Sequence, residues 1–146
     1  MWISGMISKE ELVMTKIKWD DSYVVGVSVI DEQHKHFVGL LNTLYESLES
    51  KNTSKVPEII KDLTDYADHH FKTEEEYFDK LHYPDAETHK AAHNELRMKV
   101  QSFSDRRDKP KKLGVDLLFF LERWLLVHFR GADTKFAKFL KQNGIK

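Results

Sequence analysis

The residues able to do chemistry in this chain are histidines and carboxylates, most of them at helical spacing. His70 and Glu74 stand four residues apart, as do His89 and His93. On an α-helix each pair projects from one face, stacked a turn apart. Imidazole beside carboxylate, then two imidazoles together, is a donor set for first-row transition metals. His34 near the start, and His128 with Asp133 near the end, are further candidates, making five histidines and two carboxylates on four separate segments. Such a set is too large for one zinc, which takes four ligands, and too rich in nitrogen for magnesium or calcium. Two metals bridged by carboxylates fit it, and imidazole with carboxylate suits iron. With Glu74, Asp133 and one solvent-derived oxygen all bridging, the five histidines divide three and two. One iron is then six-coordinate and the other five-coordinate, with one position open to a small diatomic ligand. The Glu-x-x-His pairs of ferritin-like di-iron bundles are absent, because no histidine has Glu three residues before it.

Four helices are needed to bring these side chains together, and the apolar periodicity supplies them. Ile30, His34, Phe37, Leu41, Leu44 and Leu48 recur at three- and four-residue steps, predicting an amphipathic helix with Asp31 as N-cap and its end near Ser50. After a loop at Lys51–Ser54, Pro57 sits in the first turn of a second helix. That helix runs to about His82 and carries Ile59, Ile60, Leu63, Tyr66, Ala67, His70, Glu74, Tyr77 and Leu81 as its stripe. Tyr83-Pro84-Asp85 ends it, and a third helix follows with His89, His93, Leu96, Val100 and Phe103 on one face. Ser104–Lys112, polar and containing Pro110, reads as a loop. A fourth helix carries Leu117, Leu118, Leu121, Trp124, Leu125 and His128, and Phe136, Phe139 and Leu140 form a short final helix. The expected fold class is all-α: an up-down-up-down four-helix bundle with a short C-terminal helix. Residues 15–30 are aromatic and β-branched but have no partner strand, so they read as an extended N-terminal arm packing Trp19 and Tyr23 onto the body. Residues 1–14 are set aside as a leader, either an extraneous extension or a native tail, and residues 15–146 as the bundle domain.

The five candidate histidines lie on the apolar stripes, whereas His36, His69 and His82 fall on polar faces. One buried histidine would ordinarily be a hydrogen-bonded core residue. Five of them with Glu74 would leave a core full of unpaired polar groups, a penalty that metal coordination removes. One spacing breaks the pattern. His128 and Asp133 are five apart, which separates them by about 140° on a regular α-helix. A π-type bulge or a break between them is therefore predicted, eased by Gly131 and giving the last helix a new heading.

Composition narrows the field. The chain has 146 residues, enough for one domain with a real core, and a net charge of -1 that gives no reason to expect nucleic acid or an anionic membrane surface. It has no cysteine, which excludes disulfides, thiolate nucleophiles and Cys-ligated zinc or iron–sulfur sites. No apolar run approaches the ~20 residues of a membrane span, and Met1–Met14 lacks the makings of a signal peptide, so a cytoplasmic protein is expected.

From about Trp19 to the C-terminus the chain resembles a hemerythrin of the single-domain bacterial type. The resemblance rests on Trp19, Tyr23-x-x-Gly26, Asp31-x-x-His34, His70-Phe71-x-x-Glu74, His89-x-x-x-His93 and Trp124-Leu125-x-x-His128-x-x-x-x-Asp133, all in order. It implies two non-haem iron ions (Fe2+/Fe3+) with an oxo or hydroxo bridge. His89, His93 and His128 would hold the saturated iron, and His34 and His70 the open one. Glu74 and Asp133 would bridge, and Leu125, Phe37 and Phe71 would wall the ligand pocket. Phe136 stands where the family often has Tyr. The function implied is reversible dioxygen binding, as carrier, store or local supplier, and no enzyme activity. An O2-consuming enzyme is the implied recipient, and the protein is expected to be a monomer. The alternatives are an O2 or redox sensor and a di-iron enzyme reducing peroxide or nitric oxide.

Overall fold

The apolar stripes become four long helices in the computed structural model, which describes residues 16–146. The leader expected at residues 1–14 lies outside the described residues. The helices are α1 (Ser28–Glu49), α2 (Val56–Leu81), α3 (Ala86–Asp105) and α4 (Pro110–Trp124). A π-helical segment, Leu125–Asp133, carries α4 onward without a break into α5 (Thr134–Gln142). Helix α1 packs on α2 and α4, and α2 on α3, which is the antiparallel bundle that short loops enforce. No strand occurs among the described residues, and no helix is long and apolar enough to cross a membrane.

The helix ends depart from the sequence reading in two places. Helix α1 begins one turn early, so Asp31 is not its N-cap. Its carboxylate reaches back instead and accepts the backbone N–H groups of Val25 (2.8 Å) and Gly26 (3.1 Å), tying the arm to the first turn. Gly26 has a φ of +87°, a conformation that L side chains rarely adopt. Pro110 does not lie within a loop but opens α4, at a position where its missing N–H costs nothing. Pro57 sits in the first turn of α2, as the sequence predicts.

The arm is held through its own backbone and its aromatic rings. Asn42 pairs with Ile17 like a second amide, accepting its N–H at 2.8 Å and donating to its carbonyl at 2.7 Å. Lys16 pairs with Glu46. Trp19 stacks on Tyr23 at 5.3 Å, and Arg130 of the π segment lies over the Tyr23 ring at 5.3 Å.

Two apolar clusters fill the bundle. The larger runs from Phe37 and Leu41 through Leu63, Leu96 and Leu118 to Phe129, and the smaller gathers Val27, Ile30, Phe78, Tyr83, Phe136 and Leu140. Each long helix, α4 together with its π-helical and α5 continuation, leaves one cluster and enters the other. Along α1 the order is Ile30, His34, Phe37; along α2 it is Tyr66, His70, Glu74, Phe78. Along α3 the two histidines precede Leu96, and Leu125, His128, Asp133 and Phe136 follow one another through the π segment. A polar layer is thus sandwiched between apolar ones.

Candidate metal centre

Among the described residues, the buried histidines and carboxylates are His34, His70, Glu74, His89, His93, His128 and Asp133, and all lie in that layer. The seven are the residues singled out by stripe position. His36, His69 and His82 are exposed. The donor atoms form two groups, each with its atoms within 4.8 Å of one another. One holds Glu74, His89, His93, His128 and Asp133, and the other His34, His70 and Asp133. Asp133 is common to both: Oδ2 lies 2.8 Å from His34 Nε2, and Oδ1 lies 2.9 Å from Nε2 of both His89 and His128. Glu74 Oε1 also spans them, at 3.0 Å from His93 Nε2 and 3.5 Å from His70 Nε2.

The π segment makes this possible. Widening the turn to i→i+5 brings His128 and Asp133 onto one side, where a regular helix would not. Thr134 Oγ1 donates to the Phe129 carbonyl at 2.9 Å, giving the widened turn a further bond five residues back. Gly131 is not what the segment depends on. A Cβ built there meets nothing within 4 Å, and its φ lies outside the left-handed region.

Several of these atoms lack an ordinary partner. His70 Nε2, His93 Nε2 and both oxygens of Glu74 are buried without an aligned hydrogen bond, even where a neighbour stands 3.0 Å away. Imidazole and carboxylate donors that crowd together without pairing suit a cation bound among them. The opposite ring nitrogens are fixed where such a cation needs them. Gln33 Oε1 lies 2.6 Å from His70 Nδ1, and Glu75 Oε2 lies 2.8 Å from His93 Nδ1. Each oxygen takes the Nδ1 hydrogen and leaves the Nε2 lone pair free for coordination. Flat aromatic neighbours hold four of the rings: Phe129 against His34 (3.7 Å), Tyr66 against His70 (5.5 Å), Phe71 against His93 (3.8 Å) and Trp124 against His128 (4.2 Å). Phe78 lies 4.9 Å from His89 at a tilt.

The electrostatics follow from packing charges out of water. Burial and the nearby Asp133 would raise the pKa of Glu74, but His70, His89 and His93 outweigh them and hold it down at about 2. Asp133, equally buried, is held well below its usual range by His128, His34 and His70. Burial disfavours the His89 cation, yet Asp133 and Glu74 push its pKa up to about 9. His70 is likewise raised against burial by Glu74 and Asp133, whereas burial prevails at His93 and lowers it.

The residues named as pocket walls, Phe37, Phe71 and Leu125, are all buried in the larger cluster. Phe129, Gln33, Glu75 and Phe78 were not singled out from the sequence. Phe129 carries a signal, standing four residues after Leu125. Gln33 stands three after Ile30. Glu75 carries none, since its role depends on α3 lying alongside.

The fold and its buried layer define a helical bundle built around a centre for metal cations. The sequence profile of the hemerythrin HHE cation binding domain matches residues 25–140. A protein named Bacteriohemerythrin from Stenotrophomonas maltophilia is 32% identical over 88% of this chain and 84% of its own length. Another of that name, from Pseudomonas paraeruginosa, is 31% identical over 85% of this chain and 81% of its own. A Hemerythrin-like protein of Naegleria gruberi is 29% identical over 85% of this chain and 93% of its own. The chain belongs to the hemerythrin family, which implies non-haem iron as the cation.

Proposed function

We propose that the chain binds dioxygen reversibly at a pair of non-haem irons, as an oxygen carrier, store or local supplier. The observation that carries this reading is the inequality of the two donor groups, three histidines in one and two in the other, with Asp133 common to both. His89, His93 and His128 would saturate one iron, His34 and His70 would leave a position open on the other, and Glu74 and Asp133 would bridge. When bound, the iron pair supplies the electrons that hold dioxygen and takes them back on release.

The chain's own residues do the rest. Asp133 and Glu74, both ionised, balance the cationic charge inside the protein. Gln33 and Glu75 fix the tautomers of His70 and His93. Phe37, Phe71 and Leu125 exclude water and acids from the ligand side, which reversibility needs. Dioxygen as ligand, a cytoplasmic location and an O2-consuming enzyme as recipient belong to the same reading.

The test is anaerobic reduction of the iron-loaded protein, exposure to O2 and removal of O2, followed in the visible spectrum. Repeated cycling without loss is expected. Rapid one-way conversion to the oxidised form would overturn the carrier reading in favour of redox chemistry or sensing.

A further inference from the structure

One turn from the metal-ligand layer, on its larger-cluster side, each helix contributes one buried residue. Phe37 stands three after His34, Tyr66 four before His70, Leu96 three after His93 and Leu125 three before His128. Three of these four are apolar. Tyr66 is the exception, 6% exposed, and its hydroxyl is buried without a hydrogen-bond partner. Its ring is sandwiched between two others, lying 5.5 Å from His70 and 5.7 Å from His36, both nearly parallel, with Phe37 at 5.5 Å.

A phenol in this layer is poorly placed for stability alone. Phenylalanine fills the same volume, while a buried hydroxyl with no partner is a net loss to the fold. Within this layer, Tyr66 offers the one side-chain O–H.

We propose that the Tyr66 hydroxyl is a hydrogen-bond donor to the small polar ligand held at the open side of the metal pair, so that Tyr66 tunes which ligands the site retains. This rests on the metal-pair reading above. A donor there favours ligands that accept hydrogen bonds, charged ones above all, over ligands that do not. Its partner is supplied by the ligand itself, so the fold carries the unpaired hydroxyl only in the ligand-free state.

The test compares wild type with Tyr66→Phe, using azide as the probe. In the metal-free protein Tyr66→Phe should melt at the same temperature or higher, since no hydrogen bond is removed. In the oxidised, iron-loaded protein the same change should weaken azide binding roughly tenfold, the scale of one hydrogen bond to a charged group. The stretching band of bound azide should shift between H2O and D2O in wild type and stay put in Tyr66→Phe. His36→Ala, which removes an exposed ring beside Tyr66 and leaves the hydroxyl in place, should leave azide affinity unchanged.

Unchanged azide affinity and an unchanged isotope shift in Tyr66→Phe would overturn the proposal. So would a clear loss of metal-free stability, which would show the hydroxyl already bonded within the fold. Tyr66-dependent azide binding in a protein that fails to cycle with O2 would uphold the donor and refute the carrier reading alone.

Discussion

The carboxylate of Glu75 accepts the Nδ1 hydrogen of His93 at 2.8 Å, while Arg97 Nη1 lies 3.5 Å from the same oxygen. Through this contact Glu75 decides which nitrogen of His93 faces inward. Partners of this kind are worth roughly 10–100-fold in metal affinity. Glu75→Ala should lose that much in competition with a chelator, and Glu75→Gln, which keeps an acceptor oxygen, should lose less. An equal effect from Glu76→Ala, at an exposed neighbour, would show that bulk charge and not this contact is responsible.

Metal content separates the buried histidines from the exposed ones. The purified protein should hold close to two irons per chain, by the donor sets described above. Removing them should lower the melting temperature, because a metal that binds only the native state stabilises it by mass action. His89→Ala should lose iron, whereas His36→Ala and His69→Ala should keep it. One zinc or a haem in the purified protein would contradict the assignment.

Without metal, the stability of the layer depends on pH at both ends. The pKa of Glu74 falls from 4.5 to about 2 on folding, so its contribution is present above pH 4.5 and disappears as pH drops through about 2. That of His89 rises from 6.5 to about 9, so its contribution is full below pH 6.5 and disappears as pH climbs through about 9. The metal-free protein should therefore melt highest between these limits and lose stability from pH 6.5 to 9. Iron binding needs deprotonated imidazole and should strengthen over that range. The gap between iron-loaded and metal-free melting temperatures should widen as pH rises. Parallel curves would rule out this charge pattern.

Leu125 is 1% exposed, but it also borders a surface cleft of about 330 Å³ with Ile17, Tyr23, Glu122 and Leu126. A single side chain therefore belongs both to the cleft and to the apolar layer over the centre. Leu125→Ala should cost about 2–5 kcal/mol of stability. It should also speed decay of the oxygenated form while leaving iron content intact. A decay rate equal to wild type would send ligand traffic past another residue.

How far the sequence could be read depended on whether a residue acts through its own helix. His34, His70, Glu74, His89 and His93 were visible because a 3.6-residue period puts them on apolar stripes. The π segment was visible because His128 and Asp133 violate that period. Asp31 misled, since its type suits an N-cap, whereas its carboxylate serves backbone groups that precede α1. Pro110 misled likewise, because proline both interrupts and begins helices. Gln33 and Glu75 act across helix pairs, on His70 and His93, and no spacing within one segment encodes that. Tyr66 was visible as a core residue, but the isolation of its hydroxyl depends on three neighbouring rings.

A π-helical turn is an α-helix with one residue more than its repeat requires. Between His128 and Asp133, that surplus residue keeps two seams in phase on one continuous rod, the ligands upstream and Phe136 with Leu140 downstream. Deleting one residue there, Ala132 for example, would leave histidine and aspartate four apart, the spacing already used on α2 and α3. The shortened chain could then close into regular α-helix with both ligands still facing inward and the downstream seam undisturbed. The region is in this sense an insertion that can be reversed in one step, and the shortened protein would be the direct measure of what the extra residue contributes.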